Sequence, residues 1–328
     1  MEPSPPPPFV STGSLPGPDD VRRAIAEVHQ ELSGHGEGRT SDVYPVLERA
    51  DPDGWGIALV GVSGASYGAG DISRAFPIMS VAKPFVFALV CQAIGADEAQ
   101  RLVGARATGR AFNSIAAVEA EPDGRTNPMV NAGAIASASL LPGTTPEEKW
   151  GAALEGLSAF AGRALEMDEE VYASASATNT VNRSLTWLLR ARGLLAGEPG
   201  PVLDLYTRVC SLSVTAQDLA VMGATLADGG VNPVTGQRVI RAELCHHVLA
   251  VMMTAGFYEL SGDWLYEVGL PGKSGIGGGV LTVSPGKGGL GTYSPRLDPT
   301  GTSVRGHLAA KRLSRRLGLD LLGSAAAG

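Results

Sequence analysis

The chain has 328 residues, 44% of them hydrophobic and 18% charged, which is the composition of an ordinary globular protein with ample material for a substantial core. Its net charge of −7 comes from 26 basic against 33 acidic residues with no basic stripe, so nucleic acid and anionic membrane surfaces are not expected partners, and a small molecule is. No apolar run reaches the length of a bilayer span and the N-terminus lacks a secretory pattern, so a cytoplasmic protein is expected. Cys91, Cys210 and Cys245 are widely spaced and odd in number, which suits reduced core thiols. The histidines show no metal-ligand spacing, and neither a metal nor another cofactor is expected.

Residues 1–18, with prolines at Pro5–Pro8, read as an extended, disordered arm. From Asp19, Val21, Ile25, Val28 and Leu32 recur at helical spacing, with Asp19 or Asp20 as the cap and Gly34 as the stop. "WGIALVGVSGASYGAGD" predicts a strand, a turn at Ser63-Gly64 and a second short strand. From about Pro84 to Val268 the pattern is helical, with stretches at Phe85–Ile94, Ala132–Leu141, Trp150–Ala161, Val181–Arg192, Ala216–Asp228 and Arg241–Ala255. Strands return near Gly272, at Val280–Val283 and Leu290–Tyr293, and Ser303–Leu317 closes as a helix. Strands at both ends with helices between them predict an α+β fold in which the termini build one sheet beside a helical lobe. The expected division is one domain over residues 19–318, with a sheet lobe at about 19–80 and 270–318, a helical lobe at about 84–268, and a flexible tail at 319–328.

Two motifs carry chemistry. "FPIMSVAKPF" sets Ser80 and Lys83 three positions apart, on one face if a helix begins here. Taken alone, S-x-x-K also fits the start of a surface helix. Phe76, Ile78, Val81, Phe85 and Phe87 around it imply burial, and a buried lysine loses its charge readily, as a general base for the Ser80 hydroxyl must. Pro84 is compatible with the first turn, so Ser80 can lie at a helix N-terminus whose dipole favours an alkoxide. The second motif is Lys-Ser-Gly in "GLPGKSGIGGG" at the expected start of a strand, which on its own also reads as a glycine-rich turn. Together, and in this chain order, the two parallel the S-x-x-K and K-T-G pair of penicillin-recognising serine enzymes.

Longer blocks, among them "TNPMVNAGAIASASLL", "DLYTRVCSLSVTAQDLAVMGATLADGG", "MMTAGFYELSGDW" and "VGLPGKSGIGGGVLTVSP", resemble the serine-dependent glutaminases from about residue 41 to 318. The resemblance implies a β-lactamase/transpeptidase-like fold with an antiparallel sheet, metal-free hydrolysis of a side-chain amide to an acid and ammonia, and a homodimer or homotetramer. By position it implies Ser80 as nucleophile, Lys83 as its base, and Tyr258 and Tyr206 as catalytic tyrosines. It also implies the backbone N–H groups of Ser80 and Ile276 as an oxyanion hole, and Asn131, Asn182, Lys273, Ser274 and Gly275 as substrate-binding residues. Each tyrosine taken alone would read as a core aromatic with a satisfied hydroxyl.

Three positions depart from the family pattern. Val43 stands where a tyrosine is expected, with Tyr44 one place along; Met79 replaces a glutamine before the nucleophile; and Ala175 replaces the glutamate that faces the substrate's ammonium. Loss of one partner of a buried charge pair costs ~3 to 5 kcal/mol, and Glu169 or Glu170 could compensate only through a rearranged loop. Glutamine is the leading substrate. The alternatives are the same acyl chemistry on an amide, ester or acyl donor without a free α-ammonium, or a non-catalytic homologue that binds a metabolite or protein.

Overall fold

The structure is a computed structural model that describes residues 13–323. Its strands, in chain order, are β1 (Gly56–Gly61), β2 (Ser66–Gly70), β3 (Phe76–Pro77), β4 (Glu166–Met167), β5 (Leu212–Val214), β6 (Gly272–Ser274), β7 (Gly279–Ser284) and β8 (Gly288–Tyr293). Five of them form one antiparallel sheet in the order β2-β1-β8-β7-β6. The pairing of β1 with β8, with Leu59 opposite Leu290, joins the two ends of the chain into one sheet as the sequence predicts.

Alternation along the strands gives the sheet two apolar faces. Ile57, Leu59, Val280 and Leu290 face outward onto the helices Pro18–Ser33 and Val304–Arg316. Ala58, Val60, Leu281 and Val283 face inward and merge with the main core of the helical lobe, where Phe85 and Phe160 pack 4.9 Å apart. The helix Ala216–Ala227 lies directly on the inner face. It comes so close because β8 presents Gly289 and Gly291 there: a Cβ on Gly289 would overlap the backbone of Ala220 and Ala224, and one on Gly291 would overlap Ala216.

Several local expectations are corrected. The first helix is capped by Gly17 with Pro18 in the first turn; Asp19 and Asp20 lie within that turn and pair with Arg22 and Arg23. Leu15 packs against the outer core and Leu319 is buried in it, although the sequence assigns them to a disordered arm and a flexible tail. The proline run Pro5–Pro8 lies outside the described residues. A second sheet, in the order β3-β5-β4, was not predicted, because strands of two or three residues carry no alternation to detect. It ties down the chain just before Ser80, with the Ile78 N–H donating to Leu212 O at 2.8 Å.

The tight seat of the helix on β8 gives a test. Gly289→Ala should destabilise the protein by about 3 kcal/mol, because the added methyl meets backbone that cannot rotate away. Urea unfolding of variant and wild type measures this.

Candidate active site

Ser80 heads a 3₁₀ turn, Met79–Ala82, that runs into the helix Lys83–Ile94. The sequence predicts a helix start here, and the tighter turn serves the pair better, since side chains three apart eclipse in 3₁₀ geometry. Pro84 falls in the first helical turn, where its missing N–H costs little. Met79 is buried with φ of +47°, a conformation that L residues avoid and that costs about 1–3 kcal/mol. The turn is held from the other side by the end of β6. A Cβ on Gly275 would stand 3.0 Å from Ile78 O and 3.4 Å from Ser80 N, so glycine lets the strand end press against the turn. That contact brings Ile276 to the cleft beside Ser80.

Lys83 is 3% exposed and donates to Asn131 Oδ1 at 2.6 Å and to Met129 O at 3.1 Å. Burial penalises its ammonium form and brings its pKa down to about 7, with Cys210 acting weakly the other way. A neutral amine has two N–H groups and one lone pair. Both N–H groups are committed, so a neutral Lys83 keeps its lone pair free.

Lys273 is completely buried and donates to Tyr258 Oη at 2.9 Å and to Ser274 O at 2.7 Å. Burial, reinforced by the charge of Lys83, holds its pKa well below the ordinary lysine value. Tyr258 therefore stands between two amines, with Lys273 Nζ 4.0 Å and Lys83 Nζ 5.5 Å from its ring centroid. It too has a positive φ, +57°, and packs against Phe112 at 5.3 Å. Burial pushes the Tyr258 phenol up, while the Ser80 hydroxyl beside it pulls the other way. Tyr206 Oη reaches Asn131 Oδ1 at 3.4 Å, and burial likewise keeps that phenol protonated.

These groups border a cleft of about 170 Å³. Of the residues singled out in the sequence, Ser80, Asn131, Asn182, Tyr206, Ile276, Val43 and Met79 line it. Lys83, Tyr258 and Gly275 stand behind its wall, against Asn131, Phe112 and Ser80 respectively, and Lys273 stands behind Tyr258. Ser274 faces elsewhere. It pairs with Val280 of the outer core, so alternation turns its hydroxyl away from the Lys273 side, and that hydroxyl has no partner among the described residues. Ala175 is buried in the helix Glu169–Thr178, one turn before the cleft residues Thr178 and Asn179. Glu169 and Glu170 are on the surface, where Glu170 pairs with Arg49, so neither replaces a carboxylate at position 175.

Sequence reasoning missed several members of the site. Tyr44, Phe112, Asn113 and Asn179 line the cleft, and so does Cys210, whose thiol is pushed up to about 11 by burial. Cys91 and Cys245 are core thiols as expected. Asn179 had a signal, the N-x-x-N spacing with Asn182 that puts two amides on one helical face.

The comparisons agree with one another. A family profile described as Glutaminase matches residues 38–322. "Glutaminase 2" of Yersinia pestis is 58% identical over 313 residues, 95% of this chain and 92% of that one. A "Glutaminase" of Mycobacterium ulcerans (strain Agy99) is 43% identical over 301 residues, covering 92% and 94% of the two chains. Among solved structures, "Probable glutaminase ybaS" superimposes with a TM-score of 0.92 at 38% identity, covering 94% of this chain and 100% of that one. The Bacillus subtilis probable glutaminase gives 0.83 at 29% identity over 92% and 96%. Sequence and fold thus match along nearly the whole length, and the chain belongs to the glutaminase family.

Proposed function

We propose that this protein hydrolyses L-glutamine to glutamate and ammonia through an acyl-enzyme on Ser80. The observation that carries the reading is the buried Lys83 amine, one turn from a half-buried serine on the cleft wall, with both N–H groups already donated. Lys83 takes the Ser80 proton as Oγ attacks the amide carbon, a role worth roughly 10²–10⁴ in rate. The N–H groups of Ser80 and Ile276 receive the oxyanion, about 3 kcal/mol per donor. In support, neither N–H has a backbone acceptor among the described residues outside its own turn.

The Tyr258 phenol, held by Lys273, gives its proton to the departing nitrogen, and ammonia leaves as the C–N bond breaks. Water then attacks the Ser80 ester, its proton passes to the same bases, and the serine hydroxyl is restored. Asn131, Asn182 and Tyr206 hold the amino-acid end of the substrate. Gly275 gives Ile276 its approach. We place this chemistry in the cytoplasm, in keeping with three free thiols, and in a homodimer or homotetramer whose contacts include the exposed Trp187 or Tyr266. No described helix is long and apolar enough to cross a membrane.

One observation favours a second reading. Among the described residues, no Asp, Glu, Lys, Arg or His lines the cleft. A free α-ammonium would lack a counter-charge there, whereas an amide with an acylated or missing α-amine loses nothing. N-acetylglutamine turned over with higher kcat/KM than glutamine, with the order reversed in Ala175→Glu, would establish it; preference for glutamine in both proteins would refute it.

Two further outcomes test the leading reading. Intact mass spectrometry during turnover should find an acyl adduct in the wild type and none in Ser80→Ala, which should also release no ammonia; equal ammonia release by the variant would refute a serine acyl-enzyme. The sign of the pH dependence follows from Lys83: burial lowers its pKa to about 7, the neutral form is the base, and so kcat/KM should rise with pH through about 7. A rate that is flat from pH 5.5 to 8.5 would exclude Lys83 as that base.

A further inference from the structure

A line of buried hydrogen bonds runs from Lys83 along the wall of the cleft. Lys83 Nζ donates to Asn131 Oδ1 (2.6 Å), Asn131 Nδ2 to Asn182 Oδ1 (2.7 Å), Asn182 Nδ2 to Asn179 Oδ1 (2.6 Å), and Asn179 Nδ2 to Thr207 Oγ1 (3.1 Å). It ends where the Thr207 hydroxyl donates to Leu203 O at 2.8 Å, one turn back in the helix Pro199–Cys210. Asn131, Asn179 and Asn182 are each 5% exposed and Thr207 is 4% exposed, so bulk water does not compete for these bonds.

Such a chain has a direction. An amide offers an acceptor on one side and donors on the other, so turning one asparagine over obliges its neighbours to turn as well. A hydroxyl has a single proton. With that proton on Leu203 O, Thr207 meets Asn179 as an acceptor, and every amide up to Lys83 is oriented in consequence. Tyr44 Oη, 3.5 Å from Asn179 Oδ1, and Tyr206 Oη, 3.4 Å from Asn131 Oδ1, act in the same sense.

We infer that Thr207 is a positioning residue for the Ser80 reaction: its hydroxyl sets the direction of the amide chain, so that Asn131 turns its carbonyl oxygen to Lys83 and leaves the amine lone pair to the serine. The inference rests on the roles of Ser80 and Lys83 given above. Without the hydroxyl, the Asn179 NH₂ loses its acceptor, and the reversed chain leaves a carbonyl oxygen there instead, a less costly orphan. In that reversed chain the Asn131 NH₂ donates to Lys83 Nζ. It occupies the lone pair that should receive the serine proton, and it removes the acceptor that supports the ammonium form.

The two effects have separate signatures in the pH profile of ammonia release from glutamine. Thr207→Val, near-isosteric, should lower the plateau of kcat/KM roughly ten- to a hundred-fold. Its acid limb should move to lower pH by about one unit, since a hydrogen bond to the charged amine has been lost. Thr207→Ser, which restores the hydroxyl, should return both plateau and limb. Thermal melts monitor folding, and if the valine variant does not fold, Thr207→Ala makes the same comparison. A folded Thr207→Val or Thr207→Ala whose acid limb stays at the wild-type position overturns the inference, and so does a serine variant that restores neither quantity. Wild-type turnover that survives Ser80→Ala would overturn the proposed function and the inference with it.

Discussion

The arrangement depends on keeping one amine out of water. An ammonium group is stabilised by hydration, and Lys83 is placed where that hydration is lost, among the helices of the lobe and behind the wall of the cleft. Its two hydrogen bonds go to a carbonyl and an amide oxygen, and no carboxylate among the described residues pairs with it. Lys273 is buried nearby on the same terms, and each charge would disfavour the other. Tyr258 lies close to both, and burial pushes its phenol up while the Ser80 hydroxyl beside it pulls the other way.

Holding that geometry takes backbone strain as well as burial. Among the described residues, Met79 and Tyr258 are the non-glycine positions with positive φ, and they fall one residue before Ser80 and at the tyrosine beside it. Such conformations persist only where the surroundings over-determine them. Here the surroundings are the small β3-β5-β4 sheet before the turn, the end of β6 pressed against it, and the main core beneath the helix that follows. The five-stranded sheet ends in β6, whose C-terminal residue is followed by Gly275 pressed against the Ser80 turn, which ties a fold-level feature to the placement of Ser80.

Much of this was legible in the residues. The apolar residues around the i, i+3 spacing of Ser80 and Lys83 predicted a buried lysine, and strands at both ends of the chain predicted a sheet that the termini share. What stayed hidden depends on tertiary closeness or on sub-residue orientation. The strands of the small sheet, two or three residues long, have no periodicity. Ser274 shares a motif with Lys273, yet pleating sends the two side chains to opposite faces. Asn179 and Thr207 are 28 positions apart, and nothing in their local sequence announces a hydrogen bond between them. Leu15 and Leu319 belong to segments whose composition suggests solvent, and they are drawn in because the outer face of the sheet remains to be covered.

The central claim, an uncharged amine at position 83 under physiological conditions, is open to direct measurement. In protein labelled with carbon-13 at the lysine ε position, the Lys83 resonance can be assigned by its disappearance in Lys83→Met and followed by NMR across pH 5 to 11. A midpoint near pH 7 is the predicted result, and a midpoint near the ordinary lysine value of 10.5 would contradict the account.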